Sequence, residues 1–363
     1  MKLKLFPPMK VKAKIMTSLL WGALCALPAV GFSSCESILE DLEECPTPVL
    51  ELRFVYDYNM EFANAFHNQV DCLAVYFFDG DGQLVSVEKV TDRDILADEN
   101  YRMHPDLPEG SYHVVAYGGM DCEKASFSHA RSLTEGSHYT DLRVQLDPDC
   151  LSDSDRYRLH NHYYGSADFT VDLSEDTYAT VEMMRNTNSI QVALQHLNGS
   201  PIDSRDFIFE ITDDNNDFDH ANNLLTTGEI TYNPWNTENR STGTVPSDGT
   251  SEEGREWHAA LAQFTTSRLV PRDAVRKPTA TTLHVRRTRD GETVFRIPLV
   301  NYMLMFKHDN TGAGLDNMSD QEYLDRENAW NFVFFLDDSK DDLWISTRLI
   351  INDWEVRLNS PDF

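Results

Sequence analysis

Few residues of this chain stand at the spacings that chemistry requires. His160 and His162 form a His-x-His pair in LHNHYYG, and on a strand both rings would project to one side, as metal ligands do. No glutamate or third histidine accompanies them at a characteristic distance, so they read as surface or inter-domain histidines. Asp213, Asn215, Asp217 and Asp219 alternate in DDNNDFDHANN, which imitates the first ligand positions of a calcium loop. Phe218 stands where such a loop needs glycine and Leu224 where its bidentate glutamate belongs. A plain polar turn is therefore expected there, with Ca²⁺ held in another geometry as the alternative. Serine, histidine and aspartate recur throughout, yet there is no Gly-x-Ser-x-Gly elbow and no Gly-rich phosphate loop. With 60 Asp and Glu residues, paired carboxylates are unavoidable, and a solvated surface accounts for them. No catalytic constellation and no cofactor are expected.

One cysteine is placed by what precedes it. Lys2, Lys4, Lys10, Lys12 and Lys14, with no acid among them, lead into an apolar run from Met16 to Phe32, the layout of a bacterial export signal. Interrupted by Pro28, the run falls short of the roughly 20 apolar residues that a membrane-spanning helix needs. Residues 1–34 thus read as a leader to be removed. The leader ends in Phe32-Ser33-Ser34-Cys35, which resembles the lipobox of bacterial lipoproteins. The resemblance implies a thioether to diacylglycerol at Cys35, cleavage before it and acylation of the new amino group, so that lipid holds the chain on the outer membrane. The alternative is an ordinary secreted domain with Cys35 buried or in a disulfide. Residues 35–46, which contain ESILEDLEE, read as an acidic spacer. Cys45, Cys72, Cys122 and Cys150 remain, without the Cys-x-x-Cys spacing of a zinc site. In an oxidising envelope they could form two disulfides in any of three connectivities.

These elements need a body to hold them. A net charge of −29, which includes the leader lysines, repels nucleic-acid phosphates, and no DNA or RNA groove is implied. A content of 41% hydrophobic residues is ample for packed cores, and the length beyond Cys35 suggests two domains. In VLELRFVYDY, Leu50, Leu52, Phe54, Tyr56 and Tyr58 alternate with Glu51, Arg53 and Asp57, the period of a half-buried strand. CLAVYFFD and QLVSVEKV flank Asp79-Gly80-Asp81-Gly82 as a hairpin, and LPEGSYHVVAYGG supplies a further strand. Later strands are expected at VEMM, SIQVALQHL, DFIFEIT, FTTSRLV, TTLHVRR, ETVFRIPLVNYMLMF, NFVFFLD and LWISTRLIINDWEVRL. The stretches 213–223 and 233–253 read as loops, the second exposed. One helix is expected, capped by Ser319 with Glu322 reaching back. The expected fold is all-β: two tandem β-sandwich domains over 47–185 and 186–363, with few short helices.

The stretches FVYDYNM, VYFFDGDG, LPEGSYHVVAYGG, VEMMRNTNSIQVALQHLNG, FEITDDN, ITYNPW, TSRLV, IPLVNYML, QEYLDRE, FFLDD and IINDWEVR run in order through the chain. Together they resemble the FimB-type minor-fimbrium anchoring subunits, lipoproteins of the type V pilus system. That resemblance implies transthyretin-like sandwiches, no catalytic activity, and a place at the fimbrial base, where the subunit attaches the fibre to the outer membrane and limits its length. It also implies a stalk pilin as partner, joined by β-strand addition. In stalk pilins of this system a cut after an arginine removes the first strand. Here no Lys or Arg lies between Cys35 and Arg53, and Arg53 sits inside the first strand, which is therefore expected to stay. The terminal strands, 344–363, are candidates for the stalk contact. The alternative within the same superfamily is a tip or surface adhesin that binds a host glycan or protein through loops such as 233–253.

Overall fold

The computed structural model describes residues 48–241, 257–271, 280–309, 315–352 and 354–357. In the first half the strands are β1 (Leu50–Val55), β2 (Leu73–Phe78), β3 (Leu84–Val90), β4 (Gly110–Gly118), β5 (Phe127–His129), β6 (Val144–Leu146), β7 (Tyr163–Val171) and β8 (Thr177–Arg185). In the second they are β9 (Thr187–His196), β10 (Phe207–Asp213), β11 (Asp217–Phe218), β12 (Ile230–Tyr232), β13 (Asn236–Ser241), β14 (His258–Ser267), β15 (Thr282–Arg287), β16 (Thr293–Pro298), β17 (Ala329–Asp337), β18 (Leu343–Ile351) and β19 (Trp354–Arg357). The fold is all-β with few short helices.

One six-stranded sheet has the order β1-β8-β7-β4-β2-β3, and a small sheet, β11-β6-β5, covers one of its faces. The Asp-Gly hairpin is present as expected: Asp79 Oδ1 accepts from the N–H groups of Asp81 and Gln83. Gly82 closes the turn at φ +77°, where a side chain would also run into the His138 ring. Strand β4 shows why its sequence alternates between two apolar sets. Tyr112, Val114 and Ala116 pack into one core, with Phe66 and Leu96 from short helices and Met103 and Leu107 from the connecting chain. Val115 and Tyr117 pack into the other, under β5, β6 and β11. The strand is buried on both faces, so neither set could be polar.

The second six-stranded sheet, β13-β14-β9-β17-β18-β19, faces the four-stranded β12-β10-β15-β16. Ile190, Val192, Leu194, Phe264, Phe332 and Phe334 from the first meet Phe209, Ile211, Val285, Phe295 and Ile297 from the second. The same core runs on into the first half, and β11 lies in the first half's small sheet, where Asp217 and Phe218 pair with Gln145 and Val144.

Three expectations are corrected. ETVFRIPLVNYMLMF is not one strand: β16 stops at Pro298 and a helix, Leu299–Asp309, follows. Leu299, Val300, Met303 and Phe306 enter the core at helical spacing, but the segment is apolar on nearly every side, so its sequence carries no period that separates helix from strand. The stretch 233–253 contains an edge strand, β13, whose polar residues leave no apolar alternation to read; residues 242–253 lie outside the described residues. The expected helix exists as Asp320–Arg326 and Ser319 Oγ accepts from the Glu322 N–H at 3.0 Å. Glu322 does not reach back, because its carboxylate takes the Arg326 Nε–H at 2.9 Å.

Candidate functional site: the first strand and the junction that holds it

With Leu52, Phe54 and Tyr56 buried, β1 lies at the edge of its sheet and pairs in parallel with β8 along all of Leu50–Val55. Its outer side is not open throughout. The Leu52 N–H donates to Met103 O at 2.9 Å, and the Met103 N–H donates back to Leu52 O at 3.0 Å. Glu51 accepts from Arg102, and the Val49 N–H donates to Asp176. Arg53 projects from the exposed face.

The exit from this strand is held by the far end of the chain. The Arg326 guanidinium lies 4.1 Å over the Tyr58 ring and 4.6 Å over that of Phe62. Its Nη1–H donates to the carbonyl oxygens of Asp57 and Asn59 at 3.3 and 3.4 Å. Asn328 Nδ2–H donates to the Tyr56 hydroxyl at 3.0 Å, and Arg185 donates to Asn328 Oδ1. Burial raises the pKa of the Tyr56 hydroxyl, which stays a neutral hydrogen-bonding group. Phe62 holds φ at +52°, a left-handed conformation unusual for a bulky residue, and the ring contact with Arg326 accompanies it.

Beside this clamp lies a buried polar junction between the two large sheets. Asn186, between β8 and β9, forms a reciprocal amide pair with Asn222 at 2.8 and 3.0 Å. Its second Nδ2–H donates to His162 Nδ1 at 3.2 Å. The Arg268 guanidinium donates to both oxygens of Asp325 at 2.7 and 2.6 Å and to Asn222 O at 2.8 Å. Gln321 also donates to Asp325.

Since His162 Nδ1 accepts, its proton stands on Nε2, which has no hydrogen-bond partner. The ring stacks on Phe127 at 4.6 Å, and burial, with smaller contributions from His129 and His160, lowers its pKa to about 3. The unfolded chain would take up that proton near the ordinary 6.5, so the stability this neutral ring allows is full above pH 6.5 and is lost as pH falls toward 3. His162→Phe keeps an aromatic ring in the stack and removes the titration. Denaturant titrations of both proteins between pH 7 and 4 should show a wild-type slope steeper by up to about 1.4 kcal/mol per pH unit. Equal slopes would remove His162 as a cause.

His160 is not beside His162 as a ligand: it turns to Asp71, with Nε2 at 3.7 Å from the carboxylate. The four calcium candidates are not brought together either. Asp213 Oδ2 accepts from Thr281, Asn215 Oδ1 from the Tyr232 hydroxyl, and Asp217 holds Arg143 through both oxygens. Asp219 Oδ1 accepts from the N–H groups of Ala221 and Asn223. The set is broken up because Asp213 ends β10 in one sheet while Asp217 opens β11 in another, and each side chain is taken by donors of its own surroundings. Among the described residues no group of three or more His, Cys, Asp or Glu could hold a metal. Cys72 and Cys122 form a disulfide that closes a long loop, and Cys150 is a buried free thiol. Cys35 and Cys45 lie outside the described residues.

Reading by periodicity missed the clamp and the junction, because an arginine over a tyrosine leaves no local pattern. A signal did exist in the stretches quoted for the resemblance. FVYDYNM supplies Tyr56 and Tyr58, VEMMRNTNSIQVALQHLNG supplies Arg185 and Asn186, TSRLV supplies Arg268, and QEYLDRE supplies Asp325 and Arg326. Scattered along the chain, these stretches meet in space.

A family model described as fimbrillin-A associated anchor proteins Mfa1 and Mfa2 matches residues 42–360. The chain belongs to this family. Membership in the Mfa2 family assigns it a fimbria-associated role at the cell surface, in a family of structural proteins. A candidate adhesin from Bacteroides thetaiotaomicron VPI-5482 is 47% identical, with 88% of this chain and 100% of that one aligned at a TM-score of 0.78. A candidate polysaccharide-binding protein from the same organism is 28% identical over 86% of this chain and 99% of that one, at a TM-score of 0.69. The fimbrial anchor protein Mfa2 of Porphyromonas gingivalis, 17% identical over 86% of this chain and 99% of that one, shares the fold at a TM-score of 0.58. No curated protein matches the sequence.

Proposed function

We propose that this chain is the lipid-anchored base subunit of a fimbrium. Acylated Cys35 seats it on the outer membrane, residues 35–46 serve as spacer, and sandwiches over 47–185 and 186–363 present a surface to the stalk. The observation that carries the reading is how firmly β1 is held in its sheet. Its pairing with β8, the Met103 bonds on its outer side and the Arg326 clamp at its exit all oppose its replacement by a neighbour's strand. A subunit that keeps this strand can end a fibre without extending it through that groove. Stalk attachment is by β-strand addition elsewhere, with β19 as the candidate because it is the outermost strand of its sheet.

Mass spectrometry of the protein from isolated envelopes tests this. A lipidated peptide beginning at Cys35 is expected, and an N-terminus just after Arg53 would overturn the retention of β1. Deleting the gene should release long fimbriae into the medium. A second reading, a tip or surface adhesin, is favoured by the 47% identical candidate adhesin. Immunogold labelling separates the two: gold at the cell end of the fibre supports the anchor, gold at the distal end the adhesin.

A further inference from the structure

The outer face of the second half's six-stranded sheet carries a row of carboxamides. Asn236, Gln263, Gln191 and Asn331 stand opposite one another across β13, β14, β9 and β17. Asn236 Nδ2–H donates to Gln263 Oε1 at 3.0 Å, and Gln263 Nε2–H donates to Gln191 Oε1 at 3.1 Å. The relay stops there. Gln191 Nε2 and the Asn331 amide have no side-chain partner among the described residues. Above the row, a groove of about 170 Å³ is walled by Trp235 and Arg158. The Arg158 guanidinium lies 4.6 Å over the indole, which leaves its in-plane N–H groups open. Arg158 has no carboxylate partner among the described residues, although the chain carries 60 acidic side chains.

Unused donors therefore converge: a guanidinium fork, an indole N–H and two amides. They suit a ligand rich in acceptor oxygens that carries one carboxylate for Arg158. The volume suits a single sugar ring, whose hydroxyls can meet the indole N–H and carboxamides able to donate and accept. A net charge of −29 opposes polyanions such as nucleic acid, but a single carboxylate seated within a few Å of a guanidinium is attracted at a range shorter than the roughly 8 Å screening length. We propose that this groove binds a carboxylated pyranose of a glycan, of sialic or uronic acid type. This site is independent of the anchoring reading and would serve a base subunit or an adhesin alike.

A glycan array should be probed with the full mature chain. Its arms carry terminal N-acetylneuraminic, glucuronic or galacturonic acid, each beside its carboxyl-reduced neutral form. Binding to at least one carboxylated arm is expected, weakened at least about tenfold in the neutral form and in Arg158→Ala, whose exposed side chain leaves the fold intact. Trp235→Ala should weaken it similarly, with an unchanged melting curve excluding misfolding. The sialic arm would indicate an animal-type glycan and the uronic arms a plant or microbial polysaccharide. Equal binding of neutral forms, undiminished binding by Arg158→Ala, or no binding to any carboxylated arm would each overturn the proposal.

Discussion

Replacing Cys35 by serine should move this protein out of the membrane fraction almost completely. A buried acyl chain contributes about 0.8 kcal/mol per methylene, and a single chain of myristoyl length binds membranes only marginally. Stable seating therefore needs several chains on one residue, and the lipobox-like Phe32-Ser33-Ser34-Cys35 offers a single thiol to receive them. A serine hydroxyl cannot supply the thioether, so the leader would remain or the chain would be shed. Among the described residues no helix is long and apolar enough to cross a membrane. Fractionation of envelopes, combined with labelled palmitate, reads the result. A Cys35→Ser protein that is still processed, and still sediments with the outer membrane after a high-salt wash, would defeat the anchoring scheme.

The second large effect is on stability. Asp325→Ala should cost about 3–5 kcal/mol, because it strands a nearly buried guanidinium. The Asp325 side chain is 3% exposed and that of Arg268 15%. The two are joined bidentately, so water cannot replace the lost partner without opening the junction. Gln321 would lose an acceptor as well, and Asn222, whose carbonyl takes Arg268, would be left facing an uncompensated charge. Glu322→Ala, which removes a more exposed carboxylate from Arg326, should cost only about 0–1 kcal/mol. Urea titrations of the three proteins give the comparison. A change under about 1 kcal/mol for Asp325→Ala would mean that the pair adds little to the junction.

Both effects depend on features of very different legibility. The proposed leader and the proposed lipidation at Cys35 rest on charge, apolar length and a terminal cysteine, which are local properties of the chain. So are the alternation in LELRFV, the Asp79 to Gly82 turn and the Ser319 cap, each of which reappears in the structure. Residues a few positions apart share one element, and their period reports which face is buried. Where a segment is apolar on all sides, as in Leu299–Asp309, or polar on all sides, as in β13, that report falls silent.

By itself, then, the sequence determined the all-β class, most strand positions and the resemblance that carries the family. Only the tertiary structure decided that β1 runs parallel to β8, that Cys72 joins Cys122 and that β11 completes a sheet of the first half. It alone decided that Arg326 closes over a strand exit 269 residues away in sequence. The reason is physical: main-chain pairing and charge contacts are short-ranged in space but indifferent to separation along the chain, so no window of sequence contains both partners.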